Sequence, residues 1–145
     1  MFSQSTDYAL RCVVCLAMHD GRSMTNEEIA EITRVPAPYL AKLIKALHNA
    51  SLVTSKRGVN GGTRLAKPTN SITVLHIVQA VDPLALARID YCPLGLASHG
   101  VKLCSMHHKL DEAMASIEKI LGETSILALL QEKREVQPLC ETMAK

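Results

Sequence analysis

Residues 90–108 read DYCPLGLASHGVKLCSMHH and hold two cysteines, three histidines and two glycines, with little helical or strand period. Cys92, His99, Cys104 and His107 follow the spacing C-x6-H-x4-C-x2-H. Two thiolates and two imidazoles this close together suit an iron–sulfur cluster, and they suit a tetrahedral zinc ion equally well. Composition does not separate the two, and a metal-free thiol switch would use the same residues. His108 has the poorer spacing to Cys104 and is expected to face solvent.

The remaining cysteines point elsewhere. Cys12-Val-Val-Cys15 matches the C-x-x-C of redox pairs, yet it lies in an apolar helical run with no βαβ context, so buried packing is expected. Cys140 falls in a polar tail and is expected to be incidental. Five cysteines spread along the chain favour thiols or ligands over a disulfide framework. Among the other histidines, His48 is expected to be solvated, and His19 and His76 join no constellation. Outside the loop there is no paired-carboxylate set, no nucleophile–base motif and no phosphate-cradling glycine loop, which argues against an enzyme.

What must position such a loop is legible in the patterning. A helix is expected from Thr6-Asp7, with Leu10, Val13, Val14, Ala17 and Met18 at helical spacing. After the break at DGRSM, Thr25 and Glu28 form a capping box that opens a second helix buried through Ile29, Ile32 and Val35. A third begins at VPAP, where Pro38 suits a first helical turn. Leu40, Leu43, Ile44 and Leu47 form its inner stripe, leaving Tyr39, Lys42, Lys45 and Asn49 off it. Two short helices, the second with a basic outer face, describe a helix-turn-helix. LVTSKRGVNGGTRLAKP then reads as a hairpin, with Asn60-Gly61-Gly62 supplying left-handed turn residues. A hairpin in that place is a wing.

Another amphipathic helix follows in SITVLHIVQAV, through Val74, Ile77, Val78 and Val81. Residues 82–103 carry no period, and a connection this long is functional or disordered. Leu103, Met106, Leu110, Ala113, Ile117 and Ile120 then alternate spacings of three and four, a short apolar seam suited to pairing with a second copy. Gly122 is expected to end that helix and Thr124 to cap a last one through Ile126, Leu127 and Leu130.

The fold expected is mainly α with a small β-hairpin. A winged helix-turn-helix domain spans residues 1–81, a Cys/His sensor loop 82–104, a dimerisation helix with a closing helix 105–135, and a tail 136–145. No apolar run approaches the roughly 20 residues that cross a bilayer, and MFSQSTDYALR is not a secretory signal, so the expected compartment is the cytoplasm.

Charge identifies the partner. Net charge is only +2, but residues 32–81 contain seven basic residues and no acidic one. A solvated surface ordinarily mixes signs, so this stretch suggests a polyanion. With one Phe, three Tyr and no Trp, stacking of single-stranded bases on aromatic platforms is not the expected mode. Double-stranded DNA remains: Tyr39, Lys42 and Lys45 in the major groove, Lys56 and Arg57 on the adjacent minor groove or backbone, and Arg64 beside them. A homodimer would set two recognition helices on successive turns. The competing class is a zinc-stabilised module that binds protein, a partner that gives no reason to exclude carboxylates.

STDYALR at the start, RGVNGGTRLAKP in the wing and a Cys-rich loop before a long helix, in that order, resemble the bacterial Rrf-type winged-helix transcription regulators. That family includes iron–sulfur assembly regulators of the IscR kind and nitric-oxide-responsive repressors of the NsrR kind. The resemblance covers about residues 1–135. It implies a homodimeric DNA-binding regulator, a repressor in many cases, whose operator affinity follows a 2Fe–2S or 4Fe–4S cluster. The family's ligand pattern falls on Cys92, position 98, Cys104 and His107. Position 98 here is Ser98, a poor iron ligand beside a thiolate. In NsrR-like members an aspartate near the start of the first helix completes the set from the other subunit, and Asp7 is the match.

Overall fold

The computed structural model describes residues 2–92, 95–96, 102–133, 136 and 138–139. Its elements run α1 (Gln4–Met18), α2 (Asn26–Thr33), α3 (Ala37–Asn49), β1 (Val53–Lys56), β2 (Gly62–Leu65), α4 (Val74–Val81), α5 (Ser105–Glu123) and α6 (Ile126–Gln131).

α1 is the central element. Residues 12–17 are buried on every side, and the helix packs against α2, α3, α4 and α6. It starts earlier than the apolar period indicates: Ser3 is the N-cap and accepts from the Thr6 amide, while Thr6 is itself fully buried. A hydroxyl three residues ahead of the first buried turn satisfies orphan amides that Thr6, inside the helix, cannot reach. α2 opens on the Thr25–Glu28 capping box, both halves of which are present. In α3, Leu40, Leu43, Ile44 and Leu47 are buried as their spacing requires. Each such side chain contributes about 1.5–3 kcal/mol of apolar burial, which fixes the rotation of α3 and so which residues it turns outward.

The wing is a two-stranded antiparallel ribbon pairing Val53 with Leu65 through to Lys56 with Gly62. Its tip is longer than a two-residue turn. Gly58 and Asn60 hold the left-handed conformations, whereas Gly61 does not and Gly62 opens β2 at φ +140°. Gly61 is small for another reason: a Cβ there would collide with the carbonyls of Lys56 and Gly58. Met24, in the connection before α2, exchanges two backbone hydrogen bonds with Thr63, at 2.9 and 2.7 Å, and ties the wing to the helical body.

α4 is capped by Thr73, with His76 completing the box by accepting from the Thr73 amide. This gives His76 a structural role that its isolation in the sequence hides. α5 runs on through Gly122 to Glu123, because Gly122 lies against Leu75 of α4, where a Cβ would sit 3.3 Å from Leu75 Cδ2. It begins after Leu103, with Cys104 as N-cap. The cap of α6 is Ser125, whose hydroxyl accepts from Ala128, while Thr124 donates to the Ile120 carbonyl at the end of α5. α6 returns to the core through fully buried Ile126, fastened by Ile126 N–H to Ile72 O (2.8 Å) and Val74 N–H to Thr124 O (3.0 Å). Among the described residues no helix is long and apolar enough to cross a membrane.

Candidate nucleic-acid interface

α2 leads through Arg34, a left-handed C-cap, into α3, which Pro36 and Pro38 start without a side-chain cap. Burial of the inner stripe leaves Tyr39, Lys42 and Lys45 on the outside. On the wing, alternation places Thr54, Lys56 and Arg64 on the outer face, and Ser55 and Thr63 on the inner face, joined hydroxyl to hydroxyl at 2.9 Å. Arg57 follows at the tip, next to Val59, which stands almost wholly in solvent. Lys56 and Arg57 border one groove with Ile44 of α3 and with Thr25, Asn26 and Glu27 at the start of α2, so the wing and the helix-turn-helix share a surface.

All seven cations of residues 32–81 are exposed, and none is paired with a carboxylate among the described residues. Arg11, Arg22, Arg88, Lys109 and Lys119 elsewhere all have carboxylate partners. An unpaired cation on a protein surface costs little in water and is fully available to a phosphate. Glu27 puts the one carboxylate on the groove's rim.

The loop and the long helix form a second region. Arg88 grips Asp111 of α5 in a bidentate pair, at 2.6 and 2.5 Å, and Asp111 also accepts from the Ile89 amide at 3.1 Å. The Arg88 guanidinium and the Ile89 N–H hold the Asp111 carboxyl down at about 2. This clamp fastens Arg88 and Ile89, just before Cys92 in the chain, to α5. At the N-terminus of α5, Cys104 Sγ lies 3.3 Å from His107 Nδ1. Cys92 is buried. Asp7 is exposed in the first turn of α1 and paired with Arg11 at 2.6 Å. Ser98 and His99 lie outside the described residues, as does Cys140. Of the expected ligands, the structure therefore brings Cys104 and His107 together, and among the described residues no three His, Cys, Asp or Glu converge as a metal site. A tetrahedral ion or a cluster needs more than these two donors.

Cys12 and Cys15 are both fully buried, and burial pushes their thiols up to about 12 and about 11. They are packing residues, and the described cysteines form no disulfide.

The expected seam of α5 is open. Met106, Leu110, Ile117 and Ile120 are all exposed, and α5 buries no residue at all within this chain.

Three features near these surfaces escape a reading of sequence. Tyr8 of α1 meets Tyr39 edge to face, with ring centroids 6.0 Å apart. Met24 is a strand partner of the wing, and Arg88 and Asp111 pair across 23 positions. Each is a meeting of segments far apart in the chain, with no local pattern to announce it.

A family model described as "Rrf2: Iron-dependent Transcriptional regulator" matches residues 2–132. Similar solved structures include CymR (YrzC), the global cysteine regulator of B. subtilis, with a TM-score of 0.73 and 22% identity over 89% of this chain and 95% of that one. T. potens IscR is similar with a TM-score of 0.72 and 25% identity over 92% and 93%. The oxidized form of Staphylococcus aureus CymR gives 0.73 and 21% over 92% and 98%. These share the mainly helical architecture with its single hairpin, and the match to the family model spans nearly the whole chain, so this chain belongs to the Rrf2 family of transcriptional regulators.

Proposed function

We propose that this Rrf2 regulator acts as a homodimer that represses transcription by occupying operator DNA, with affinity set by the state of the segment from Cys92 to His107. The observation that carries the DNA contact is the set of seven exposed, carboxylate-free cations on the recognition helix, its turn and the wing. Tyr39, Lys42 and Lys45 enter the major groove; Lys56 and Arg57 follow the neighbouring backbone into the minor groove, with Arg64 on the same ribbon. Phosphate contacts supply most of the affinity and base edges the sequence choice. The exposed seam of α5 supports pairing of two copies, which puts two recognition helices on one side of the duplex.

The loop carries the signal in this reading. Cys92, Cys104 and His107 would hold an iron–sulfur cluster, with a further donor drawn from His99 or from Asp7 of a second copy. A bound cluster would supply a one-electron, gas-sensitive group there. The Arg88–Asp111 clamp joins that segment to α5, so ordering it biases the dimer helix. A second reading is a thiol-responsive regulator without metal, supported by the pairing of Cys104 with His107 among the described residues and by the likeness to two CymR proteins, one a global cysteine regulator and one solved in an oxidized form.

The test is duplex affinity against salt concentration for anaerobically purified protein, with iron, sulfide and zinc quantified. Arg57→Ala is expected to weaken binding and lower the logarithmic salt slope by about one. An unchanged slope removes Arg57 from the phosphates, and binding that ignores salt in every metal state ends the DNA reading. Iron and sulfide lost together in Cys104→Ala support the cluster; colourless, zinc-loaded protein overturns it.

A further inference from the structure

The side of α1 that meets α3 carries an aromatic and polar cluster that phosphate binding does not require. Tyr8 is only half-buried, yet its ring is fixed on three sides. Gln4 Nε2 donates to its hydroxyl at 2.9 Å, the Arg11 guanidinium lies 5.6 Å from the ring centroid, and Tyr39 meets it edge to face at an interplanar angle of 74°. Arg11 is itself held by Asp7 at 2.6 Å. Tyr39 sits in the first turn of α3 and is 50% exposed. One flank of Tyr39 is thus braced, while half of the residue stays open to solvent, one helical turn before exposed Lys42.

An isolated surface tyrosine samples several rotamers and loses that freedom when it docks. An edge-to-face partner selects one arrangement in advance. The Asp7–Arg11 pair behind Tyr8 is neutral as a unit, so this part of α1 adds geometry to the DNA surface and no net charge. We propose that Tyr8 is a positioning residue for sequence recognition, fixing Tyr39 in the orientation that reads the major groove. This rests on the assignment of α3 as the recognition helix. Tyr8 contacts no DNA. Its removal changes how well the protein tells one duplex from another, while leaving the count of phosphate contacts intact.

The experiment selects a preferred duplex from a random-sequence pool with the wild-type chain. Affinity is then measured for that duplex and for its shuffled sequence, at several salt concentrations. Tyr8→Leu, which keeps apolar bulk on the core but has no ring, is expected to reduce the selected-to-shuffled ratio by about two- to ten-fold. Its salt slope should match the wild type, and Tyr8→Phe should restore the ratio. Ring proton resonances of Tyr39 in the free protein provide the second readout: they shift in Tyr8→Leu and hold in Tyr8→Phe. A selected duplex that Tyr8→Leu discriminates as well as the wild type does overturns the proposal. Equal losses on both duplexes with a flattened slope overturn it too, making Tyr8 a backbone contact, as do unmoved Tyr39 resonances. A wild-type chain that selects no duplex overturns the DNA-binding assignment itself and this proposal with it.

Discussion

Replacing Ile120 by serine tests whether the open face of α5 is the seam between two copies. Ile120 is 62% exposed within one chain. Burying an isoleucine fully is worth about 1.5–3 kcal/mol, so the part still facing water represents about 1–2 kcal/mol. In a two-fold interface every change occurs twice, giving about 2–4 kcal/mol for the dimer, or roughly a 30- to several-hundred-fold rise in dimer Kd. The same position contributes little to the fold of the separate subunit, because it touches solvent and not the core. The melting temperature extrapolated to low protein concentration should therefore stay close to that of the wild type. Sedimentation equilibrium across a wide concentration range, paired with circular dichroism melts, measures both. A dimer Kd within threefold of the wild type would show that the apolar face of α5 is not where two copies meet. Loss of the fold together with the dimer would show that α5 is needed within the subunit, contrary to its exposure.

Other perturbations address the wing, the thiols and the clamp. Gly62→Ala forces a side chain into φ +140° and places its Cβ 2.7 Å from the Met24 carbonyl oxygen; we expect about 1–3 kcal/mol of destabilisation and faster exchange of the Thr63 amide, and an equally protected amide would refute it. Alkylation of the folded protein at pH 8, read by mass spectrometry, should modify Cys104 well before Cys12 or Cys15, whose burial keeps them protonated; equal rates would contradict their packing role. Asp111 is held below its ordinary value, so the Arg88–Asp111 clamp is fully formed above about pH 4 and is lost as pH falls through about 2. NMR titration of the Arg88 Nε–H should follow that window and be flat in Asp111→Asn.

Local physics made much of this molecule readable in advance. The stripe Leu40, Leu43, Ile44, Leu47 has the period of one helix face, and the Thr25–Glu28 box is a four-residue motif, so both needed no knowledge of the rest of the chain. The absence of carboxylates from residues 32–81 drew attention to the surface that the structure leaves uncompensated. Errors gathered where a residue answers to a distant neighbour. Gly122 looks like a terminator, but its smallness serves Leu75, 47 positions earlier. Ser3 caps α1 because the core needs Thr6 inside it, which depends on how α1 lies among the other helices. Ser125 displaces Thr124 as a cap because the chain there is bonded to Ile72 and Val74. In the loop, spacing lists which donors exist, but whether they converge is a matter of tertiary contacts such as Arg88 with Asp111.

The return of α6 into the core has a bearing on operator architecture. A pairing helix at the end of a flexible tether would let each reading head swivel to find its own half-site. Here α5 is tied near its start to the segment that follows α4, through Arg88 and Asp111, and runs on into α6, whose Ile126 is fully buried in the core. Adding a single base pair between half-sites rotates one relative to the other by about 34° and displaces it by about 3.4 Å. If two copies pair through α5, heads held in this way would favour one half-site spacing, and the length of the gap would then belong to the operator's address along with its letters.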